Sequence, residues 1–186
     1  SKINAMFKTE EAKVGTGPDP ETMDITKYEF DNLILWDTPG LGDIVDKDEQ
    51  HRNKIIEMLH KKNEKGEPLI DFVLVIVDGS SRDLGTTYKL INEVIIPNLG
   101  EKPEKRILIA INKADLAMSG RYWDRENNCP EPKLIDFLDK KAESVRNQIK
   151  SSTGIDVETI YYMNILNENQ FENFINNYSI QENNTQ

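Results

Sequence analysis

The sequence contains little of the two side chains that most often carry metal and nucleophilic chemistry. Its 186 residues include one cysteine, Cys129, and two histidines, His51 and His60. A lone cysteine excludes an intramolecular disulfide, and the polar, proline-flanked surroundings of Cys129 favour a loop over a catalytic position. Neither histidine has a second ligand at metal-binding spacing, so both are interpreted as surface residues. These shortages fit a reducing compartment, and we expect a cytoplasmic location.

Long apolar runs and an excess of basic charge are absent as well. No run approaches the length of a membrane span, and no charged-then-apolar secretory leader is visible. Acidic residues outnumber basic ones by 33 to 23, and the formal net charge of −10 argues against a grip on nucleic acid through the whole surface. Three local basic clusters remain, each interpreted as the solvated face or end of a helix. They are Lys61-Lys62 with Lys65, Lys102 with Lys105-Arg106, and Lys140-Lys141.

The chain is nevertheless long enough for one substantial hydrophobic core. Its hydrophobic content of 37% predicts a single domain over residues 1–178, followed by a disordered Asn/Gln-rich tail over 179–186. Patterns typical of strands alternate with patterns typical of helices, so the predicted fold class is α/β. Strands are predicted at 26–30, 33–36, 72–77, 107–111 and 155–163, and helices at 3–12, around 55–59, 88–95, 134–149 and 171–178.

The tetrapeptide Asn112-Lys113-Ala114-Asp115 directly follows the apolar run 107–111. This is the arrangement expected for a guanine-reading loop at the carboxyl end of a parallel strand. The carboxylate of Asp115 would accept two hydrogen bonds from the N1 and N2 groups of guanine, a pairing that adenine cannot reproduce. Asn112 would brace neighbouring loops and the base, and the aliphatic stem of Lys113 would lie along the base plane.

A second polar motif, Asp37-Thr38-Pro39-Gly40, follows the apolar run 33–36. Asp37 would hold a Mg²⁺ ion through a water, and Gly40 would offer its backbone N–H to a terminal phosphate. Only a residue without a side chain allows such a close approach. Asp37 and Gly40 would together make a phosphate sensor, and the order of the two motifs, each after its own strand, supports this interpretation.

Together these motifs resemble those of the translation-factor-related class of P-loop GTPases, in the Era-like branch whose Asp-x-x-Gly reads Asp-Thr-Pro-Gly. The resemblance covers most of the chain, and Ile3-Asn4-Ala5-Met6-Phe7 looks like the helix after that family's phosphate-binding loop. It implies a Ras-like three-layer G domain, with a mostly parallel sheet and one antiparallel strand. It also implies a molecular switch that binds GTP and GDP with Mg²⁺ and hydrolyses GTP to GDP and phosphate.

The resemblance further implies a switch threonine that gives its hydroxyl to Mg²⁺ and its backbone N–H to the terminal phosphate. Thr22 is the best-placed candidate, an ordinary loop threonine is the alternative, and Thr26 is the reserve choice. Leu41 stands where many small GTPases have the glutamine that orients the attacking water, so no catalytic residue is assigned. A partner protein, a bound cation and another residue such as Asp43 remain open as the source of water activation.

The phosphate-binding loop Gly-x-x-x-x-Gly-Lys and the strand before it are not found in the sequence, and Ser1 aligns one position after the family's loop serine. That strand would lie centrally in the family's sheet, between the strands that end at Trp36 and Val77. An N-terminally truncated G domain, inactive by itself, is therefore expected. The alternatives are a pseudo-GTPase that binds proteins without nucleotide turnover, and a dimer whose copies exchange strands.

The segment 120–132 is longer than a simple connection requires, and it carries Tyr122, Trp123 and two arginines. One interpretation is that this loop contacts a partner protein, whose identity the sequence does not indicate. The other is that Trp123 pins the loop to the domain.

Overall fold

The computed structural model describes residues 25–30, 33–38, 45–127 and 129–161. Several predicted features lie outside these ranges: the helices at 3–12 and 171–178, Thr22, Gly40, Leu41 and Asp43. In chain order the strands are β1 Thr26–Phe30, β2 Leu33–Asp37, β3 Val73–Asp78, β4 Ile107–Asn112, β5 Trp123–Asp124, β6 Cys129–Pro130 and β7 Glu158–Tyr161. The helices are α1 Val45–His60, α2 over residues 85–98 and α3 Pro132–Thr153.

Three strands form a parallel sheet in the order β3-β4-β7. The middle strand β4 is buried along its whole length, which explains its continuous apolar sequence. In the register of the sheet, Asp78 lies opposite Asn112, so β3 and β4 end side by side at their carboxyl ends. The predicted α/β class with a parallel sheet is therefore confirmed.

One face of this sheet is covered by helices. Because side chains alternate along a strand, the residues Ile107, Ile109 and Ile111 of β4 point to the same face. They pack in one core cluster with buried residues of α1, α2 and α3, such as Ile55, Ile91, Val94, Val145 and Ile149. Burying each such aliphatic side chain contributes roughly 1.5–3 kcal/mol, so this cluster is the main source of stability in the described part.

The helix α2 is not a regular α-helix. It is α-helical over Gly85–Lys89, widens to a π-helix over Leu90–Ile95, and ends with a short α-helical turn at Ile96–Asn98. Pro97 lies in that last turn and has no backbone N–H, so the regular ladder of hydrogen bonds cannot run through it. None of the helices in the described ranges is long and apolar enough to cross a membrane.

Strands β1 and β2 pair antiparallel as a separate two-stranded sheet. The strands predicted at 26–30 and 33–36 are therefore both present, and they are neighbours. The described residues contain no strand that joins β2 to β3, which is the place of the expected central strand. The hairpin instead lies against α1, with a cavity of about 230 Å³ between them that is lined by Trp36, Met58 and Lys61 among others.

The last predicted strand, 155–163, begins later, at Glu158. Helix α3 ends at Thr153 and is followed by Gly154, whose φ of 74° reverses the chain. Asp156 then accepts hydrogen bonds from Arg146 and, at 3.0 Å, from Lys150 on the last turns of α3. These ion pairs hold residues 154–157 against the helix end, so pairing with β4 starts only after them.

Two interpretations of charged or polar residues need correction. His51 is half-buried rather than a surface residue, whereas His60 is exposed as expected. Arg106 belongs to no solvated basic cluster, because its guanidinium donates hydrogen bonds to the carbonyl oxygens of Ile70, Asp71 and Leu99. It thereby ties the end of α2 to the segments that lead into β3 and β4.

We expect Arg106→Met to destabilise the fold by about 2–4 kcal/mol, because three backbone carbonyls lose a charged donor. Urea unfolding followed by circular dichroism would measure the change. The neighbouring Lys105→Met is the control, since Lys105 is exposed and should change stability by less than about 0.5 kcal/mol. Equal effects of the two substitutions would show that the guanidinium contacts contribute nothing specific.

Candidate functional site

The candidate site is built where β3 and β4 end. Asp78 is the last residue of β3 and Asn112 the last of β4. Asn112 is the one buried polar or charged side-chain position within the described ranges, with 9% of its surface exposed. In open parallel sheets, ligands bind outside the carboxyl ends of the strands, so this edge is the expected place for a nucleotide.

An ion pair joins the two loops at this edge. The ammonium of Lys113 donates a hydrogen bond of 2.6 Å to Oδ2 of Asp78. The other carboxylate oxygen, Oδ1, accepts from the backbone N–H of Ser80 at 2.9 Å and from its hydroxyl at 2.6 Å. Partial burial raises the pKa of Asp78, but the hydrogen bonds from Lys113 and Ser80 outweigh it and lower the pKa to about 2.

The loops meet in direct backbone contact at Gly79. Its N–H donates to the carbonyl oxygen of Asn112 at 2.7 Å. A Cβ atom at this position would lie 2.8 Å from that oxygen and 3.2 Å from the carbonyl oxygen of Lys113. Only glycine fits there, and the reason is the lack of space rather than an unusual φ. This close approach of the two loops was not predicted from the sequence, although Gly79 directly follows the strand β3.

The backbone of the Asn112-Lys113-Ala114-Asp115 loop and its continuation is strained. Lys113 adopts the left-handed region with φ 56°, and Met118, Ser119 and Tyr122 also have positive φ. In the described part of the chain, Lys102 is the only other non-glycine residue with this conformation. Such strain persists only where the surrounding structure fixes the chain, and it concentrates at ligand-binding segments.

A small apolar cluster fixes this segment from behind. Ala114 and Ala117 are buried against Leu134 and Leu138 of α3, and Met118, Tyr122 and Trp123 pack around them. The segment after the loop forms the short antiparallel pair β5-β6. Of the two interpretations of Trp123, the structure therefore supports the one in which it pins the loop to the domain. Cys129 is exposed and lies in the two-residue strand β6 rather than in the predicted loop.

Asp115 lies between the buried residues Ala114 and Ala117 in the sequence. Its neighbour Ala114 is fully buried, whereas Asp115 itself is half-buried. Within the described ranges, no hydrogen bond or ion pair engages the Asp115 carboxylate. A partly desolvated carboxylate without a protein partner is suited to accept hydrogen bonds from a ligand.

Lys141 contacts the loop that follows β3, which corrects its assignment to a solvated basic cluster. Its ammonium donates to the carbonyl oxygen of Gly79 and, at 2.9 Å, to that of Ser81. Burial lowers the pKa of Lys141, and the nearby charge of Asp78 opposes this shift. Lys140 does behave as predicted, because it is exposed and pairs with Asp136 one turn away at 2.7 Å.

Residues 1–113, more than half of the chain, match the family model of the 50S ribosome-binding GTPase. The chain belongs to this family of P-loop GTPases. No match is found among curated proteins. The matched residues include β3, β4 and the Asn112-Lys113 pair and end two positions before Asp115.

The residues predicted to bind the base and those predicted to bind phosphate lie on different segments of the chain. The structure brings Asn112, Lys113, Asp115 and Asp78 together at one edge. Asp37 ends β2 in the separate hairpin, as a half-buried carboxylate. Thr22 and Gly40, the other predicted phosphate and Mg²⁺ residues, lie outside the described residues.

We expect Gly79→Ala to destabilise the GTPase by about 1–3 kcal/mol, because the added methyl group meets backbone that cannot move freely. Gly85→Ala is the control, since its Cβ would approach only the flexible carboxylate of Asp83. Thermal unfolding of both variants would measure the difference. A Gly79→Ala variant as stable as the control would show that the two loops do not touch in solution.

The lowered pKa of Asp78 also predicts a pH dependence. A carboxylate whose pKa is lower in the folded than in the unfolded state stabilises the fold above its unfolded pKa of about 3.8. The contribution is lost as the pH falls through about 2. The difference in unfolding free energy between the wild type and Asp78→Asn should therefore shrink over this pH range. Because Asp78 is partly exposed, we expect about 1 kcal/mol or less at neutral pH.

Urea unfolding of both proteins at several pH values would test this prediction. A difference that stays constant down to the lowest pH would contradict it, because it would mean that the charge of Asp78 is not what stabilises the fold.

Proposed function

We propose that this GTPase domain binds guanine nucleotides through the loop after β4 and acts as a GTP-hydrolysing switch of the Era-like branch. The observation that carries the proposal is the Asp115 carboxylate, half-buried and without a partner in the described residues, on a strained loop at the carboxyl edge of a parallel sheet. The strain and the packing behind the loop hold the carboxylate in place before a ligand arrives.

Each residue of the loop has a separate role in this proposal. Asp115 accepts hydrogen bonds from N1 and N2 of guanine, and an adenine nucleotide leaves that carboxylate unpaired. Lys113 lays its aliphatic stem along the base, while its ammonium is anchored to Asp78. Asn112 fixes the start of the loop, since its carbonyl oxygen is bonded to Gly79.

In this proposal, phosphate and Mg²⁺ are bound by the other motif, Asp37-Thr38-Pro39-Gly40, and by Thr22. Asp37 would hold Mg²⁺, together with the hydroxyl of Thr22, and Gly40 would contact the terminal phosphate. A carboxylate fits this ion because Mg²⁺ prefers oxygen ligands. When bound, the ion neutralises charge on the phosphate oxygens. We infer that Thr22 and Gly40 contact GTP and that hydrolysis releases these contacts, so that the protein changes its effector partners.

A cytoplasmic location accompanies this proposal. GTP-driven switches act where GTP is abundant, and the exposed, unpaired Cys129 suits a reducing compartment.

The proposal can be tested even if phosphate contacts are weak, by measuring base selectivity. We expect GDP with Mg²⁺ to shift the amide NMR signals of residues 113–117 in the isotopically labelled chain, and ADP to shift them much less. Asp115→Ala should weaken GDP binding at least about 10-fold, because it removes two hydrogen bonds to a charged acceptor. Asp115→Asn should move the preference from guanine to xanthine nucleotides.

Glu126→Gln is the matched control, because it removes an exposed carboxylate from the same region without touching the loop. Its binding should equal that of the wild type. Equal responses to GDP and ADP would contradict the guanine assignment. A folded sample that responds to neither nucleotide would mean either that the base contacts alone do not hold a nucleotide or that the chain is a pseudo-GTPase that binds proteins without turnover.

A further inference from the structure

Lys141 occupies an unusual position for a charged residue. The buried residues of α3 are Leu134, Leu138, Val145 and Ile149, which are four or seven positions apart, that is one or two helical turns, and so form one apolar face. Lys141 falls on that face, one turn after Leu138 and one turn before Val145. A lysine at such a position must cover its aliphatic stem with apolar neighbours and still find acceptors for its ammonium.

The acceptors are two carbonyl oxygens of the loop that follows β3. The ammonium of Lys141 donates to Gly79 and to Ser81, and the residue is half-buried. Hydrogen bonds from a charged donor are about twice as strong as neutral ones, and a lost donor leaves carbonyl groups unpaired in a partly dry environment. Lys141 therefore sets the position of residues 79–81.

That loop in turn touches the guanine loop at two points. Gly79 donates its N–H to the carbonyl oxygen of Asn112 at 2.7 Å. The carboxylate of Asp78, which is oriented by Ser80, accepts a hydrogen bond from the ammonium of Lys113 at 2.6 Å. A shift of residues 79–81 would therefore disturb the hydrogen bonds of both Asn112 and Lys113.

The same helix also holds the guanine loop directly. Leu134 and Leu138 pack on Ala114 and Ala117, on either side of Asp115 and Leu116. Helix α3 thus contacts one loop through apolar side chains and the other through Lys141, three residues after Leu138. The two loops are fixed relative to each other by a single rigid element.

We propose that Lys141 is a positioning residue for guanine-nucleotide binding, acting through the backbone of residues 79–81 on Asn112 and Lys113. The expected effect of Lys141 on nucleotide affinity rests on the proposed function. Its structural part, the ordering of the guanine loop from α3, can be tested without any nucleotide.

The test compares Lys141→Met, which keeps the stem and removes the ammonium, with two other variants of the full chain. Lys141→Arg keeps a charged donor and should restore most of the effect. Lys140→Met is the matched control, because Lys140 is the adjacent residue on the same helix but is exposed and pairs only with Asp136 among the described residues.

The first readout is hydrogen exchange of single amides without nucleotide. The reporters are the N–H groups of Gly79, Ser80 and Leu116, which donate to Asn112, Asp78 and Lys113 respectively. We expect exchange at least about 10-fold faster at all three in Lys141→Met, with unchanged exchange in the β4-β7 pairing. Unchanged exchange at Leu116 would overturn the proposal, since it would confine the effect of Lys141 to its own contacts.

The second readout is GDP affinity from the same NMR titration. We expect Lys141→Met to bind GDP about 3- to 10-fold more weakly than the wild type and Lys140→Met to bind equally. Equal affinity of Lys141→Met and the wild type would overturn the proposal. A wild type that binds no GDP would instead count against the proposed function, and exchange at Leu116 would then decide the role of Lys141 alone.

Should Lys141→Met fail to fold, Lys141→Gln provides the same test, because it replaces the ammonium with a neutral amide donor on a shorter side chain. It should give an intermediate exchange rate at Leu116. A rate equal to that of the wild type in a folded Lys141→Gln variant would overturn the proposal, because its shorter, neutral side chain cannot satisfy both carbonyl groups as the ammonium does.

Discussion

The contact between Gly79 and the end of β4 is the constraint on which the rest of the site depends. Parallel pairing sets Asp78 opposite Asn112, and the missing side chain at Gly79 lets the two loops close to hydrogen-bonding distance. Once they are that close, Lys113 reaches Asp78 and both loops share one ion pair. A larger residue at position 79 would separate them, and the polar groups at this edge would face water instead of each other.

Helix α3 turns this contact into a rigid site. Its apolar residues hold the loop after β4, and Lys141 holds the loop after β3. The strained backbone at Lys113, Met118 and Tyr122 is compatible with this support, because conformations that cost energy survive only where packing leaves no alternative. The half-buried carboxylate of Asp115 is presented by this frame, which reduces the entropy lost when a ligand binds.

Much of the fold was accessible from local sequence patterns. The continuous apolar runs before Asp37, Asp78 and Asn112 predicted strands that the structure contains. Burial on both faces explains this pattern only for β4, because Ile34 of β2 and Ile76 of β3 are exposed. The placement of Asn112-Lys113-Ala114-Asp115 at a strand end was predicted from the change from apolar to polar residues after position 111. The function of Asp115, Asp37, Thr22 and Gly40 in binding nucleotide and Mg²⁺ stays a prediction.

The contacts that hold the site together were not accessible in this way. Lys141 and Gly79 are 62 positions apart in the chain, and Arg106 and Ile70 are 36 apart. In a sequence, Lys141 and Arg106 look like members of charged clusters, and only their position in the packed structure shows that they bind backbone carbonyls. The signal for Lys141 was present, because it interrupts an apolar helical face, but the sequence does not say which loop lies beneath that face.

The sequence by itself therefore determined the α/β class, the order of strands and helices, and the polar motifs at strand ends, all of which follow from periodicity within short segments. The tertiary structure decided which loops meet. It also decided that Lys113 pairs with Asp78 and that Lys141 binds the carbonyl groups of the loop after β3. These choices depend on distances of a few ångström between residues far apart in the chain, and local pattern does not encode such distances.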